Sequence, residues 1–172
     1  MTTVRISADN SERWYALVVQ HQHERTVARN LKSKRLDALV PCYKARRRWS
    51  DRYKEVEIPL FPNYVLSRFC WPQDAPLLRL PGVRSVVSCG SQPAAIPEDE
   101  IDALKGLLNA SVPLRPWPYL KPGQRVRIER GPLRGVEGTL LEEKRMWQIV
   151  VTIELLQRSV AAVIDRDAAV PI

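Results

Sequence analysis

The sequence has few of the residues that build metal, disulfide or catalytic sites. Its 172 residues include only three cysteines and two histidines. Cys42, Cys70 and Cys89 are odd in number and widely spaced, which argues against a disulfide framework and against a Cys-x-x-Cys metal site. His21 and His23 have no third ligand at a suitable spacing. We therefore expect no metal and no cofactor, and we expect buried thiols in a reducing cytoplasm.

Long apolar runs and a secretion signal are also missing. No stretch approaches the length of about 18 apolar residues that marks a membrane-spanning helix, and residues 1–7 lack an apolar signal region. We therefore expect a cytoplasmic protein that does not engage a membrane.

The usual signatures of an enzyme are absent too. Gly131, Gly135 and Gly138 fit neither a phosphate-binding loop nor a dinucleotide fingerprint, and no Ser or Cys stands in a nucleophile-elbow context. The acids of Pro97-Glu98-Asp99-Glu100 complement the dipole of a helix that begins there, so no catalytic carboxylate is needed to explain them. The sequence predicts a protein that is not an enzyme.

Positive charge is plentiful, and it is concentrated in one segment. Of the formal net charge of +8, residues 32–54 carry nine Lys and Arg against Asp37 and Asp51, a balance of +7. Such a patch attracts phosphate groups, and its effect falls steeply with salt. Two interpretations stay open: a nucleic-acid contact, in which Trp49 stacks on a base, or a solvated hairpin tip, in which Trp49 covers the hairpin's own backbone.

Hydrophobic periodicity predicts an α+β fold. Trp14–Val19 is an almost continuous apolar run, typical of a buried central strand, and Gln22–Leu36 has an amphipathic helical pattern. The other elements before residue 109 are strands at Leu39–Tyr43, Tyr53–Ile58, Tyr64–Phe69 and Val83–Val87, a short helix capped by Asp74, and a helix from Pro97 to about Leu108. This order fits a ferredoxin-like α/β sandwich over residues 12–108.

The pattern changes after residue 108. Residues 109–119 contain Pro113, Pro116 and Pro118 without periodicity, as expected of a stiff linker. Residues 120–172 then contain four short strands, at Gln124–Arg130, Val136–Glu143, Met146–Ile153 and Arg158–Ile164. We expect them to form a small closed β-barrel, because an open sheet of this size leaves edges and too little buried surface.

The stretch from Pro59 to Leu66 brackets Leu60-Phe61 with two prolines and then runs into a strand. A rigid turn that presents aromatic side chains favours protein docking, because Phe and Tyr bring contact area and lose few torsions on binding. A β-turn that feeds a core strand explains the same residues.

Three segments resemble the NusG family of transcription elongation factors. Arg13-Trp14-Tyr15-Ala16-Leu17-Val18 resembles the opening strand of the family, Leu60-Phe61-Pro62-Asn63-Tyr64 resembles its FPGY signature, and Val126–Gly138 resembles a KOW motif. Order, spacing and length also agree over roughly residues 12–165. Asn63, where housekeeping NusG has Gly, is closer to the specialised RfaH-like paralogues. The resemblance implies an SH3-like KOW barrel for residues 120–172.

The resemblance also implies contact residues. Members of the family bind the clamp helices of RNA polymerase, and the matching positions here are Val18, Phe61, Pro62, Tyr64, Leu66, Val86 and Ile96. Upstream or non-template DNA is approached by the basic hairpin, with Lys44, Arg46, Arg47, Arg48 and Arg52 as the candidates for phosphate contact. The KOW domain recruits a small-subunit ribosomal protein or the termination factor Rho, and its matching positions are Leu133, Val136, Leu155 and Leu156.

The function expected from this resemblance is transcription elongation and antitermination by a monomer, through binding that suppresses pausing or termination. Two alternatives stay open: a KOW-type RNA- or ribosome-binding protein acting in translation, and a cofactor of Rho-dependent termination.

Overall fold

The computed structural model describes residues 11–117, 123–143 and 146–172, and it is mostly β-structure with two α-helices. The helices are α1 (Glu24–Ser33) and α2 (Glu98–Asn109). The strands before α2 are β1 (Arg13–Val19), β2 (Asp37–Leu39), β3 (Cys42–Arg48), β4 (Tyr53–Pro59), β5 (Tyr64–Phe69), β6 (Val83–Val86), β7 (Ser88–Cys89), β8 (Gln92–Pro93) and β9 (Ala95–Ile96). Those after it are β10 (Leu114–Trp117), β11 (Gln124–Ile128), β12 (Glu137–Glu143), β13 (Met146–Ile153), β14 (Arg158–Ile164) and β15 (Ala169–Pro171).

Strand β1 is the centre of the N-terminal sheet. The strand order is β2-β5-β1-β6, and β9 also pairs with β1; all the pairings of β1 are antiparallel. Side chains alternate between the two faces of a strand, and here both faces are buried. Trp14 and Ala16 enter one apolar cluster, whereas Tyr15, Leu17 and Val19 enter another.

Helix α1 covers one face of this sheet, as its sequence pattern predicts. Val27, Ala28 and Leu31, at helical spacing, are buried in the same cluster as Tyr15 and Leu17. The structure ends this helix at Ser33, before the predicted end at Leu36.

The predicted strand Leu39–Tyr43 is divided in the structure. Strand β2 ends at Leu39 and β3 begins at Cys42, with Pro41 between them. Proline has no N–H to donate to a ladder, so a strand tends to break there. The basic run that follows is itself strand β3, which pairs with β4 in a separate two-stranded hairpin.

The C-terminal sheet has six strands in the order β10-β14-β13-β12-β11-β15. Strands β11 to β14 match the four strands that the sequence predicts. Strand β10 lies inside the predicted linker, and β15 follows the last predicted strand. Within the described residues no pairing joins β10 to β15, so the closed barrel that the sequence predicts is not observed.

The apolar face of the C-terminal sheet is covered by helix α2, which explains how a sheet can bury its core without closing. Ile101, Leu104 and Leu107 of α2 lie in one apolar cluster with Ile149 and other buried residues of the C-terminal sheet. The cluster also contains Trp14 and Ala16. The two sheets therefore share one core, with α2 between them.

None of the helices in the described part of the chain combines the length and the apolar character needed to cross a membrane.

The contact between α2 and the C-terminal sheet is close at Gly106. A Cβ atom at residue 106 would lie 2.7 Å from Cγ2 of Val136, which is closer than carbon atoms pack. Glycine thus allows the helix to approach a stiff β-branched side chain.

We predict that Gly106→Ala destabilises the protein. Alanine favours a helix over glycine by about 1 kcal/mol, but overpacking costs about 1–3 kcal/mol, and Val136 has little freedom to move. Chemical denaturation would measure the free energy of unfolding. The control is the same Gly106→Ala change made in a Val136→Ala variant. The smaller side chain at residue 136 removes the clash, so there Gly106→Ala should raise the free energy of unfolding through its higher helix propensity. A stabilised Gly106→Ala single variant would contradict this contact.

Candidate interaction surfaces

The turn at Phe61–Tyr64 is held by two hydrogen bonds from outside it. Asn63 has a φ of +69° and so lies in the left-handed region, where Asn and Gly are the favoured residues. Its N–H donates to Oε1 of the buried Glu24 at 2.9 Å, and its carbonyl accepts the N–H of Val19 at 2.8 Å. The turn is therefore fixed by helix α1 on one side and by strand β1 on the other.

The residues predicted to contact RNA polymerase divide into two groups by burial. Phe61, Leu66 and Ile96 belong to the core, and Phe61 is only 1% exposed. Val18, Tyr64 and Val86 are half-buried, and Pro62 is exposed.

Strand register decides which of the accessible residues lie together. Val18 is the direct partner of Tyr64 across the β1–β5 pairing, so the two side chains are neighbours on one face. Val86 pairs with Leu17 and packs on the opposite cluster. The structure therefore brings Val18 and Tyr64 together, with Pro62 exposed in the turn that precedes Tyr64, and it separates Val86 from them.

The five basic residues predicted to contact nucleic acid are all exposed on the β3–β4 hairpin or in its turn. The turn is closed by a hydrogen bond from the N–H of Trp49 to the carbonyl of Arg52, at 2.8 Å. Lys44 forms an ion pair with Glu55 at 3.7 Å, and Arg25 of helix α1 forms an ion pair with Glu57 at 3.0 Å. Acidic side chains of β4 thus offset part of the positive charge, which the sequence count could not localise.

The residues predicted to recruit a second partner are mostly covered. Leu133, Val136 and Leu156 are buried in the cluster that contains the apolar side chains of α2, and Leu155 is half-buried against it. Sequence reasoning identified them as apolar surface residues because the packing of α2 on this sheet has no local signal.

Glu100 has a role that the sequence did not indicate. Its Oε2 accepts a hydrogen bond from the backbone N–H of Glu154, at 3.2 Å, so it links α2 to the C-terminal sheet. It lines a cleft of about 170 Å³ together with Asp99, Arg125 and Glu137. Burial raises the pKa of Glu100 from 4.5 to about 7, assisted by the nearby charges of Asp99 and Glu154 and opposed by the Glu154 N–H. The helix dipole, to which the sequence assigns all three acids of this turn, therefore does not by itself account for Glu100.

Among the described residues, no group of His, Cys, Asp or Glu side chains has a geometry that could hold a metal ion. His23 Nδ1 lies 3.0 Å from the carbonyl oxygen of His21, so the two histidine residues are engaged locally.

Comparison with known proteins gives one family match. The model of the NusG family, described as "Transcription termination factor nusG", matches residues 12–105, more than half of the chain. No curated protein matches the sequence significantly.

Among solved structures, the fold is similar to that of Thermotoga maritima NusG, described as "Domain interaction in Thermotoga maritima NusG". The identity is 22%, the match covers 94% of this chain and 97% of that chain, and the TM-score is 0.50. The MjSpt4:Spt5 complex in conformation B also matches, with 17% identity over 92% of this chain and 96% of that chain, at a TM-score of 0.33.

We predict that Glu24→Ala destabilises the protein by about 1–3 kcal/mol, because it leaves the Asn63 N–H without its partner inside the protein. Asn63→Ala should also destabilise, by about 1 kcal/mol, because alanine adopts a positive φ at a cost. Asn63→Gly is the matched control, since glycine adopts this φ freely and keeps the N–H. Denaturant unfolding measures all three, and an Asn63→Gly variant as unstable as Asn63→Ala would contradict the assigned turn.

We also predict that the contact of α2 with the C-terminal sheet weakens as pH rises. The pKa of Glu100 is raised from 4.5 in the unfolded chain to about 7, so between these values the folded protein holds a proton that the unfolded chain has released. Stability must then fall with rising pH. The contribution of Glu100 is fully present below about pH 4.5 and is lost as the pH rises through about 7.

The measurement is the thermal midpoint of the wild type and of Glu100→Gln between about pH 5 and pH 8, where most proteins are near their maximum stability. This range spans the pKa of about 7. The wild type should lose stability relative to the variant over this range, because glutamine carries no proton to release. Parallel curves for the two proteins would show that Glu100 titrates at an ordinary pKa.

Proposed function

The chain belongs to the NusG family of transcription elongation and regulation factors, and from this premise we propose that it binds the clamp helices of RNA polymerase. On this proposal it is a transcription elongation or antitermination factor that suppresses pausing or termination. Its action is then a bias on the conformation of the polymerase and involves no bond chemistry. Asn63, in place of the more usual Gly, supports a specialised RfaH-like member of the family.

The observation that carries this proposal is the fixed turn beside Val18 and Tyr64. Tyr64 is partly exposed, it lies next to Val18 in the register, and the preceding residue is held by Glu24. A rigid aromatic side chain loses little entropy on binding, so such a surface suits a helical partner. Pro62 extends the same surface, since it is exposed in the turn.

The buried members of the predicted set have a supporting role in this proposal. Phe61, Leu66 and Ile96 pack beneath the turn and the sheet, so they hold the surface in position from inside the core. Val86 lies on the other face of the sheet and is not part of the proposed contact.

We further propose that the β3–β4 hairpin contacts upstream or non-template DNA, with Lys44, Arg46, Arg47, Arg48 and Arg52 as the candidates for phosphate contact. Their exposure and net positive charge support a contact with phosphate groups. Those that stand beside an acidic residue should contribute least.

For the C-terminal part, we propose a KOW domain of SH3-like form over residues 120–172, preceded by a boundary within residues 109–119 and by a ferredoxin-like domain over residues 12–108. The proposed partner is a small-subunit ribosomal protein or Rho, bound through Leu133, Val136, Leu155 and Leu156. Burial of three of these four against the cluster that contains α2 means that binding requires the C-terminal sheet to move away from α2.

The test is binding of the purified protein to core RNA polymerase without nucleic acid. Tyr64→Ala should weaken binding by about tenfold or more, because a central aromatic contact contributes about 2 kcal/mol or more. Tyr53→Ala is the matched control, since it removes a Tyr that is 69% exposed on the hairpin and should leave binding unchanged. Tyr64→Phe is a second control, because it keeps the aromatic ring in a folded protein, and it should retain most of the affinity.

Salt separates the proposal from its alternatives. An apolar contact with the polymerase should change little between moderate and high salt, whereas a phosphate contact falls steeply. A wild-type protein that does not bind the polymerase but retains RNA in a salt-sensitive manner would overturn the proposal and favour a KOW-type RNA- or ribosome-binding role in translation. Polymerase binding together with stimulated Rho-dependent release would instead favour the termination cofactor.

A further inference from the structure

The β3–β4 hairpin has two faces with different chemistry, because directly paired residues of an antiparallel hairpin project to the same side. Arg47 pairs with Lys54, and the next pair on the same side is Trp49 with Arg52, which the turn hydrogen bond joins. We call the side formed by Arg47, Trp49, Arg52 and Lys54 the tip face. It has three cations and one indole, and no acidic residue takes part in these pairs.

The opposite side is nearly balanced in charge, with three basic residues against two glutamates. Arg48 pairs with Tyr53, Arg46 pairs with Glu55, and Lys44 pairs with Glu57. Lys44 also forms an ion pair with Glu55, at 3.7 Å. We call the side formed by Lys44, Arg46, Arg48, Tyr53, Glu55 and Glu57 the balanced face. Three of the five predicted phosphate contacts lie on this face, where Glu55 stands opposite Arg46 and forms an ion pair with Lys44.

The cations of the tip face have no such competitor. In the part of the chain that the structure describes, Arg47, Arg52 and Lys54 form no ion pair. All three are exposed, and Asp51 is the one acid in the turn between them. Their charge is therefore free to attract an anionic ligand, while that of Lys44 is partly offset by Glu55.

Trp49 is the second feature of the tip face. Its side chain is 55% exposed, so its ring has a large apolar surface in contact with water. The Lys54 Nζ lies over the ring, 5.5 Å from its centroid, so the ammonium group and the indole are close neighbours. Exposed aromatic rings next to cations are the combination by which proteins hold unpaired nucleic-acid strands, since a base stacks on the ring while neighbouring phosphates contact the cations.

We propose that the tip face binds single-stranded nucleic acid, with a base stacked on Trp49 and with Arg47, Arg52 and Lys54 on the neighbouring phosphates. The proposal rests on the proposed function, because a factor on transcribing RNA polymerase works beside unpaired strands. The inference goes beyond the proposed function in three respects. It selects one face of the hairpin, it adds Trp49 and Lys54 to the contact residues, and it requires a single strand. The bases of a duplex are already paired and stacked, so a ring at a hairpin tip gains nothing from them.

The experiment measures fluorescence anisotropy of labelled oligonucleotides with the full chain, using oligo-dT, oligo-U and a DNA duplex. The main comparison is between two double variants that remove the same charge from the same hairpin, Arg47→Gln with Lys54→Gln on the tip face and Lys44→Gln with Arg46→Gln on the balanced face. The first should lose about tenfold or more in affinity for single strands, and its slope of log K against log salt should fall by about 1.4. The second should change affinity less than about threefold, by the smaller effect expected of charges that are already paired.

Trp49→Ala tests the stacking step separately. It should weaken single-strand binding about tenfold by loss of stacking, and the loss should persist at high salt, where the contribution of the cations has faded. Trp49→Phe should recover part of the affinity. All these side chains are exposed, so an unchanged thermal midpoint confirms that each variant is folded.

Equal losses from the two double variants would overturn the proposal, since they would indicate a general attraction to positive charge. A Trp49→Ala variant with wild-type affinity, or a duplex bound as tightly as the single strands, would also overturn it. Comparison of oligo-dT with oligo-U identifies which strand is preferred, and either preference supports the proposal.

Binding to core RNA polymerase, measured on the same preparations, keeps the two proposals apart. The tip-face variants should bind the polymerase as the wild type does, because Tyr64 and Val18 are unchanged. Polymerase binding without single-strand binding would defeat only the present inference. Single-strand binding without polymerase binding would defeat only the proposed function.

Discussion

Strand β1 is buried on both faces, and the arrangement of the molecule follows from that burial. Trp14 and Ala16 project into the core that α2 and the C-terminal sheet complete, while Tyr15, Leu17 and Val19 project into the core covered by α1. A strand without a solvent face must be central and must be covered twice, because each exposed apolar side chain would forfeit about 1.5–3 kcal/mol of burial. The neighbours of β1 then fix the candidate docking surface, since Tyr64 stands opposite Val18 in the register.

The sequence predicts the local elements of this fold well. The apolar run at residues 14–19, the helical spacing of Val27 and Leu31, and the four strands from residue 124 onward all correspond to observed elements, because periodicity records which face of an element is buried. It is less informative about what covers that face. An open apolar sheet and a closed barrel share the same alternation, so the packing of α2 on the C-terminal sheet, and the absence of observed closure, required the structure.

The candidate surfaces show the same division. Phe61 stands out in the sequence as an aromatic residue in a proline-bracketed turn, yet it is buried. Residue type alone does not distinguish a docking residue from a core residue, so the sequence could not reveal this burial. The sequence shows the net charge of the basic segment, but a net charge does not say on which face of the hairpin each side chain lies. Pairing register divides it, and a shift of one residue in that register would move Arg47 and Trp49 to the side that now carries Glu55 and Glu57.

The close approach of Gly106 to Val136 also affects how tightly any partner can bind the C-terminal sheet. A partner that takes Val136 and its apolar neighbours competes with α2, which belongs to the same chain and never diffuses away. An intramolecular competitor of this kind acts at an effective concentration on the order of millimolar. The apparent affinity of the partner is therefore its intrinsic affinity reduced by the fraction of molecules in which α2 has withdrawn. A second ligand that holds α2 elsewhere would raise that fraction, and with it the apparent affinity, without touching the partner's own contact residues.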